Sequence, residues 1–199
     1  MPTVAIYIFP DVEVLDFAGP YEVFSTASRV FKRRNPGSDD LFRVLTVAKN
    51  PSVVCARAGL NVVPDFSLQN CPATHVLIIP GGLVDKEVGD AHVIEWVRNR
   101  SAQAMITASV CTGAFILAKA GLLEGRTATT HWEDIANLQA QFGNVLVRGG
   151  VRWVDDGTIV TSAGIAAGID MSLHLVSRIA GRELAIATAR QMEVPYSDA

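Results

Sequence analysis

The sequence predicts a single α/β domain in which a mostly parallel β-sheet lies between two layers of helices. Short runs rich in β-branched residues alternate with longer amphipathic stretches along the chain, as expected for a parallel sheet covered on both faces. No repeat, low-complexity tract or linker divides the 199 residues. We therefore expect one domain over residues 1–199, folded as a three-layer αβα sandwich.

The individual elements follow from apolar period and from the turn residues that bound each run. The strand candidates are Val4–Phe9, Phe42–Ala48, Val76–Ile79, Ala104–Ala108 and Thr158–Thr161. The helix candidates are Pro20–Arg34, Ala91–Arg100, Thr112–Ala120, His131–Phe142 and Ala166–Ala180. Short runs typical of hairpin or edge strands are Val53–Ala56, Leu60–Val63 and Val151–Val154.

Composition and charge exclude several classes of protein. The chain is 49% hydrophobic and 19% charged with a net charge of −3, which is typical of a soluble globular protein and excludes disorder. A general nucleic-acid binder is disfavoured because phosphate neutralisation needs an excess of clustered cations. The basic cluster at residues 29–34 precedes Asn35-Pro36-Gly37, so it predicts the end of a helix rather than a DNA contact.

Neither an export signal nor a membrane-spanning segment is predicted. The first residues lack a basic region before an apolar run, and the two longest apolar stretches contain Lys119 in one case and Asp170 with His174 in the other. Three cysteines without a C-x-x-C spacing predict reduced thiols in a cytoplasmic protein. Metal-ligand spacings and nucleotide-binding glycine motifs are absent from the sequence, so we expect no metal and no cofactor.

The strongest candidate for chemistry is Cys111, in the turn between an apolar strand and an apolar helix. Ser109 and Gly113, two residues to either side, are small enough to let the strand and the helix pass closely, as a nucleophile elbow requires. The positive end of the helix dipole predicts a lowered thiol pKa and an exposed, strained nucleophile. A small buried hydrophobic residue is the alternative.

Glycines and a hydroxyl accompany this turn. Gly81 and Gly82 follow the strand Val76–Ile79, and their backbone N–H groups suit an oxyanion hole in which Gly82 pairs with the amide of Thr112. The Thr112 hydroxyl is predicted either to position substrate or water or to cap the helix.

An acidic residue follows the first strand. Asp16 is predicted to lie in a loop just before a helix starting at Pro20, where it either caps the helix or transfers a proton to an intermediate on Cys111. Glu13 and Glu22 are expected to face solvent. His131 stands at a loop-to-helix junction, where it either assists the thiolate or has a structural role.

Five motifs together resemble the ThiJ/PfpI superfamily over about residues 3–180, and within it the isonitrile hydratase branch and the N-terminal domain of AraC-type regulators. They are Phe9-Pro10-Asp11 with Leu15-Asp16-Phe17-Ala18-Gly19-Pro20, Ile79-Pro80-Gly81-Gly82, Ser109-Val110-Cys111-Thr112-Gly113, Ala128-Thr129-Thr130-His131-Trp132 and Thr161-Ser162-Ala163-Gly164.

The resemblance implies a flavodoxin-like sandwich, usually a homodimer, acting on a small molecule. It implies that Cys111 is the nucleophile and that Asp16 and Thr112 take part in turnover. The implied reaction hydrates an isonitrile to an N-substituted formamide through a thioimidate on Cys111. Gly81, Gly82, His131 and Gly164 fall in its oxyanion- and substrate-binding segments. The alternative is a non-enzymatic ligand or redox sensor in which Cys111 is oxidised or binds a ligand.

Departures from other branches narrow the expected activity. Protease-like members carry His after the nucleophile where this chain has Thr112, and deglycase-like members carry Glu where this chain has Asp16. Glutamine amidotransferases use a late His-x-Glu, in a region occupied here by Gly164-Ile165-Ala166. The sequence therefore disfavours peptidase, deglycase and amidotransferase activities.

Overall fold

Seven strands form one central sheet in the computed structural model, which describes residues 1–197. In chain order, the strands are β1 (Thr3–Tyr7), β2 (Arg43–Ala48), β3 (Val54–Cys55), β4 (Asn61–Val62), β5 (Phe66–Ser67), β6 (Val76–Ile79), β7 (Ile106–Val110), β8 (Thr127–Ala128), β9 (Leu146–Val147), β10 (Trp153–Asp156) and β11 (Ile159–Ser162). The helices are α1 (Val14–Arg34), α2 (Asp85–Gly89), α3 (Ala91–Gln103), α4 (Gly113–Lys119), α5 (Ile135–Gln141), α6 (Ala167–Ala180) and α7 (Arg182–Gln191).

The strand order across the sheet is β10-β11-β7-β6-β1-β2-β5. Every neighbouring pair is parallel except β10 with β11. Strands β1, β6, β7 and β11 are therefore side by side and end at the same edge, where the loops that follow them meet.

Two sets of helices cover the sheet. Helices α1, α6 and α7 pack on one another, and α2, α3 and α4 form a separate packed set. The strands between them are buried, including all five residues of β1 and of β7, as expected when helices cover both faces. The predicted three-layer αβα sandwich with a mostly parallel sheet is confirmed.

Some predicted boundaries were wrong. Helix α1 begins at Val14 rather than Pro20, because one missing backbone hydrogen bond at Pro20 is offset by apolar contacts along the buried face of the helix. Strand β7 is displaced by two residues and ends directly before Cys111. The segment His131–Phe142 is a 3₁₀ turn at Trp132–Asp134 followed by the shorter α5.

Several elements were missed because their apolar signal is weak. Helix α2 has five residues, none of them fully buried, and α7 buries one leucine, one threonine and two alanines, which give little hydrophobic contrast. The two-residue strands β5, β8 and β9 are too short to show a period. Among residues 1–197, no helix is both long enough and apolar enough to cross a bilayer.

Candidate active site

Cys111 occupies a sharp turn between β7 and α4. Its φ of 56° lies in the left-handed region, which costs a side-chain-bearing residue conformational energy. Two neighbours hold the turn: the Cys111 N–H donates to the Ser162 carbonyl at 3.1 Å, and the Thr130 hydroxyl donates to the Cys111 carbonyl at 2.8 Å. The strained strand–turn–helix geometry is that of the predicted elbow.

Small residues are needed where the elbow meets its neighbours. A Cβ on Gly113 would lie 2.1 Å from the Ile79 carbonyl oxygen, and a Cβ on Gly168 would lie 2.9 Å from Val110 Cγ1. The first contact is with backbone inside the central sheet, which cannot rotate away. Helix α4 can therefore start at this point only with glycine at position 113.

We expect Gly113→Ala to lower the free energy of unfolding by about 3 kcal/mol or more, because β6 and α4 must separate to admit the methyl group. Urea or thermal unfolding measures the change. Gly143→Ala is the matched control, since a Cβ there meets nothing within 4 Å. Equal stability of the two variants would show that the contact at Gly113 has been misjudged.

Asp16 lies beside the nucleophile, in the first turn of α1 rather than in a loop as predicted. It is fully buried, its Oδ2 accepts the Gly81 N–H at 3.1 Å, and its carboxyl group lies close enough to the Cys111 thiol and the Ile165 N–H for both to influence its pKa. Among the described residues, Oδ1 has no partner of good geometry. The carboxyl group next to Cys111 thus has one buried oxygen without a partner.

Burial governs the protonation of this pair. It raises the pKa of Asp16 to about 7, and burial together with the charge on Asp16 raises the pKa of Cys111 to about 12. The predicted lowering of the thiol pKa and exposure of the sulfur were wrong: Cys111 is 8% exposed, and desolvation outweighs the Thr112 N–H directed at the thiol. The first proton to leave the pair comes from Asp16, which leaves a carboxylate facing a thiol.

The glycine loop after β6 packs directly on the elbow. The Gly82 N–H donates to Thr112 Oγ1 at 2.9 Å, and Thr112 Oγ1 donates to the Gly82 carbonyl at 3.0 Å. The Gly82 and Thr112 amides were predicted to act together as oxyanion donors. The structure differs, because the Gly82 N–H is already bonded to the Thr112 hydroxyl. The hydroxyl also makes no helix-capping bond, so Thr112 ties the elbow to the loop.

Both glycines are required by close approach. A Cβ on Gly81 would lie 2.6 Å from the Thr112 backbone nitrogen. Gly82 has a φ of 143°, and its Cβ would lie 2.4 Å from the Asp11 carbonyl oxygen. The loop therefore brings backbone against Cys111 and Thr112 in a way that no larger residue permits.

His131 and Gly164 lie against each other on another side of the site. A Cβ on Gly164 would lie 2.2 Å from His131 Cδ2, so Gly164 makes room for the imidazole. His131 Nδ1 lies 3.6 Å from Glu133 Oε2 and 3.7 Å from Asp134 Oδ2. Two carboxylates of the turn that follows His131 therefore lie near the ring without hydrogen-bonding to it.

A cavity of about 400 Å³ opens over the elbow. Four of the predicted site residues line this cavity: Gly82, Cys111, Thr112 and His131. Asp16 and Gly81 do not line it but lie next to Cys111. Gly164 does not line it but lies next to His131. The lining residues that the sequence did not indicate are Glu13, Arg57, Leu83, Val84, Asp85, Val88, Phe115, Glu133, Asp134, Asn137, Gln141 and Ile165.

Two of these had a signal in the sequence. Glu13 was expected to face solvent, but it lines the cavity and forms an ion pair with Arg57 at 3.1 Å; its position three residues before Asp16 placed it at the same sheet edge. Ile165 adopts a φ of 54°, a genuine outlier for a β-branched residue. It directly follows Gly164, a predicted site residue, after the end of β11, and its N–H lies close to the Asp16 carboxyl group.

No three His, Cys, Asp or Glu side chains are grouped as metal ligands within residues 1–197. The polar groups at the elbow are the Cys111 nucleophile, the Asp16 carboxyl group and the backbone N–H groups of Gly81 and Thr112. That set serves covalent and proton-transfer chemistry.

Residues 2–178 match the model of the DJ-1/PfpI family. The chain belongs to the DJ-1/PfpI family. It is 34% identical to an isonitrile hydratase of Pseudomonas putida over 191 residues, covering 96% of this chain and 77% of that protein. A crystal structure of a THiJ/PfpI family protein from Pseudomonas syringae superposes with a TM-score of 0.84 at 30% identity, covering 100% of this chain and 77% of that one.

Regulators also belong among the relatives. The chain is 36% identical over 149 residues to the HTH-type transcriptional regulator GbdR of Pseudomonas aeruginosa (strain PAO1), covering 74% of this chain. It spans only 40% of that regulator's length. The relatives of this chain therefore include both an enzyme and a transcriptional regulator.

Proposed function

We propose that the protein hydrates small isonitriles to N-substituted formamides, with Cys111 as nucleophile. The observation that carries this proposal is the buried Asp16–Cys111 pair at a strained elbow, in which one oxygen of the Asp16 carboxyl group has no partner among the described residues. The 34% identity to an isonitrile hydratase supports it. We assign turnover to Cys111 and Asp16, and Thr112 positions the elbow through its two bonds to Gly82.

In the first half-reaction, Cys111 adds to the terminal carbon of the isonitrile. The Asp16 carboxylate accepts the thiol proton as the C–S bond forms, which is how a thiol with a raised pKa becomes a nucleophile at neutral pH. Asp16 then returns that proton to the same carbon. The product is a thioimidate in which sulfur and hydrogen have both been added to the isonitrile carbon.

In the second half-reaction, water hydrolyses the thioimidate. Asp16, again a carboxylate, accepts a proton from water as the oxygen attacks the carbon, and then passes this proton to the substrate nitrogen, which restores the carboxylate. Collapse of the tetrahedral adduct breaks the C–S bond, the electron pair goes to sulfur, and Asp16 passes the remaining hydroxyl proton to the thiolate. The formamide leaves, and the pair returns to its starting state.

The test is conversion of cyclohexyl isocyanide by purified protein, with N-cyclohexylformamide measured by gas chromatography. We expect time-dependent formamide proportional to protein concentration and incorporation of ¹⁸O from labelled water into the carbonyl. Failure to form formamide from several small isonitriles at high protein concentration would overturn the proposal.

A second candidate is a ligand sensor, which the 36% identity to a transcriptional regulator favours. In that role Cys111 binds a small molecule or is oxidised without turnover. A stoichiometric adduct on Cys111, seen by mass spectrometry without release of formamide, would favour the sensor over the enzyme.

The homodimer implied by the family resemblance stays a prediction. Exposed apolar side chains support it: Tyr21 on α1 and Val63 beside β4 are 38% and 71% exposed, and they line one shallow depression on the surface. Leu15 and Leu60 are also exposed. Apolar surface of this kind favours association.

A further inference from the structure

The charges that line the active-site cavity are unbalanced. Four carboxylates, those of Glu13, Asp85, Glu133 and Asp134, face a single guanidinium, that of Arg57. Arg57 is already paired with Glu13 at 3.1 Å. The three remaining carboxylates therefore give the cavity an excess of negative charge.

These three carboxylates have no basic partner other than a histidine among the described residues. Asp85 forms no ion pair, and Glu133 and Asp134 approach only His131 Nδ1, at 3.6 and 3.7 Å. They also come from two separate segments, helix α2 and the 3₁₀ turn Trp132–Asp134. The three carboxylates thus come from different parts of the chain and line one cavity.

The nucleophile pair is a second feature of this cavity, separate from the acidic side chains. Cys111 lines the cavity in a strained conformation. Behind it, Asp16 is fully buried with an oxygen that no described residue satisfies. A buried unpartnered carboxylate oxygen is costly unless a bound molecule or proton transfer uses it.

From this arrangement we propose that the substrate is an organic cation, a protonated amine or quaternary ammonium that carries its reactive carbon a few bonds away from the charge. This deepens the proposed function and rests on it. Asp85 and Glu133 are exposed and Asp134 is half-buried at the opening of the cavity, and such a cluster of like charges raises the local concentration of cations and repels anions. The apolar residues Leu83, Val88 and Phe115 in the same wall accommodate the alkyl part.

A cationic substrate also suits the chemistry at Cys111. Attack requires negative charge to develop on a buried sulfur next to the Asp16 carboxylate, which burial and like charge both oppose. A positive charge held by Asp85, Glu133 and Asp134 offsets that repulsion as the thiol proton leaves. The charge on the substrate thus contributes to activating the nucleophile.

Charged methanethiosulfonates test the charge selection without requiring turnover. Cys111 is modified with the trimethylammonioethyl, sulfonatoethyl and methyl reagents, and site-resolved mass spectrometry gives the rate at each cysteine. Cys55, which is exposed, is the internal control. We expect the cation-to-anion rate ratio at Cys111 to exceed that at Cys55 by about tenfold or more and to fall with ionic strength.

Two triple variants remove the same number of negative charges, one in the cavity and one elsewhere on the surface. The triple variant Asp85→Asn, Glu133→Gln, Asp134→Asn is expected to bring the ratio at Cys111 to within about twofold of the ratio at Cys55. The control triple variant Asp39→Asn, Glu95→Gln, Glu183→Gln alters exposed carboxylates that do not line the cavity and is expected to leave the ratio unchanged. Equal effects of the two triples would overturn the proposal.

A pair of isosteric isonitriles then separates this inference from the proposed function. We expect kcat/KM for 2-isocyanoethyl-trimethylammonium to exceed that for 3,3-dimethylbutyl isocyanide by about tenfold or more. Formamide from both at equal kcat/KM would overturn the cation preference and leave hydration standing. A high methanethiosulfonate ratio with no formamide from either would overturn hydration and leave a cation-binding site.

Discussion

Cys111→Ser protein is expected to form formamide at least about 1,000-fold more slowly than the unmodified protein, with little change in stability. Serine keeps the size of the side chain and its contact with Asp16, but its hydroxyl is a much poorer nucleophile than a thiol with an adjacent base. The backbone bonds from Thr130 and to Ser162 that hold the elbow are unaffected.

Initial rates of formamide formation and a thermal unfolding curve are the two measurements for this variant. Cys55→Ser is the control, because Cys55 lies outside the cavity lining, and it is expected to retain full activity. Gross unfolding of Cys111→Ser, or retained activity, would contradict the assignment of Cys111 and favour the buried-hydrophobe interpretation.

Asp16→Asn is expected to inactivate the protein and stabilise it at the same time. Asparagine keeps an acceptor for the Gly81 N–H but cannot take the thiol proton, so we expect the rate to fall at least about 100-fold. In the unmodified protein the rate is expected to rise with pH through about 7, where Asp16 ionises, and this limb should be missing from the variant.

The stability effect follows from the raised pKa of Asp16. Between the unfolded value of 3.8 and the folded value of about 7, the folded protein binds a proton that the unfolded chain has lost, so this group lowers the free energy of unfolding as pH rises. Above pH 7 the full cost of a buried carboxylate is present. We expect Asp16→Asn to be more stable at pH 8 by about 4 kcal/mol and nearly unchanged at pH 4.

Urea unfolding of both proteins at pH 4, 6 and 8 measures this difference. Asp39→Asn, an exposed carboxylate, controls for the change of net charge and is expected to give curves parallel to the unmodified protein. A stability difference that did not grow with pH would mean that Asp16 is ionised without cost in the folded protein.

The sequence predicts the centre of this site because each part of it directly follows a strand. Gly81, Cys111 and Gly164 each come after a predicted strand, and a parallel sheet brings such positions to one edge whatever the exact boundaries. Strand β7 was displaced by two residues in the prediction, yet Cys111 remained at the turn. The sheet topology therefore predicts which residues meet at this edge even when a strand boundary is wrong by two residues.

The cavity walls were not predictable in the same way. Asp85, Asn137 and Gln141 lie on short helices that the sequence did not indicate or placed with different bounds. Whether they face the cavity depends on how those helices pack. No local pattern in the sequence records that packing.

The thiol pKa was misjudged for a related reason. The turn before α4 suggested a dipole effect, and that effect is local in sequence. The burial that outweighs it comes from distant segments, among them Asp16, 95 positions earlier in the chain. A local sequence motif does not show which distant segments will bury the thiol.

The bonds that hold the elbow also set the order in which it can form during synthesis. The Cys111 carbonyl is held by Thr130 and its N–H by Ser162, and both residues leave the ribosome after Cys111. Until about 50 further residues have been translated, Cys111 has neither of these anchors, and Asp16 has no elbow against which to pack. The thiol acquires its distinctive chemistry only when the domain is nearly complete, so a truncated chain would expose an ordinary cysteine in place of a nucleophile.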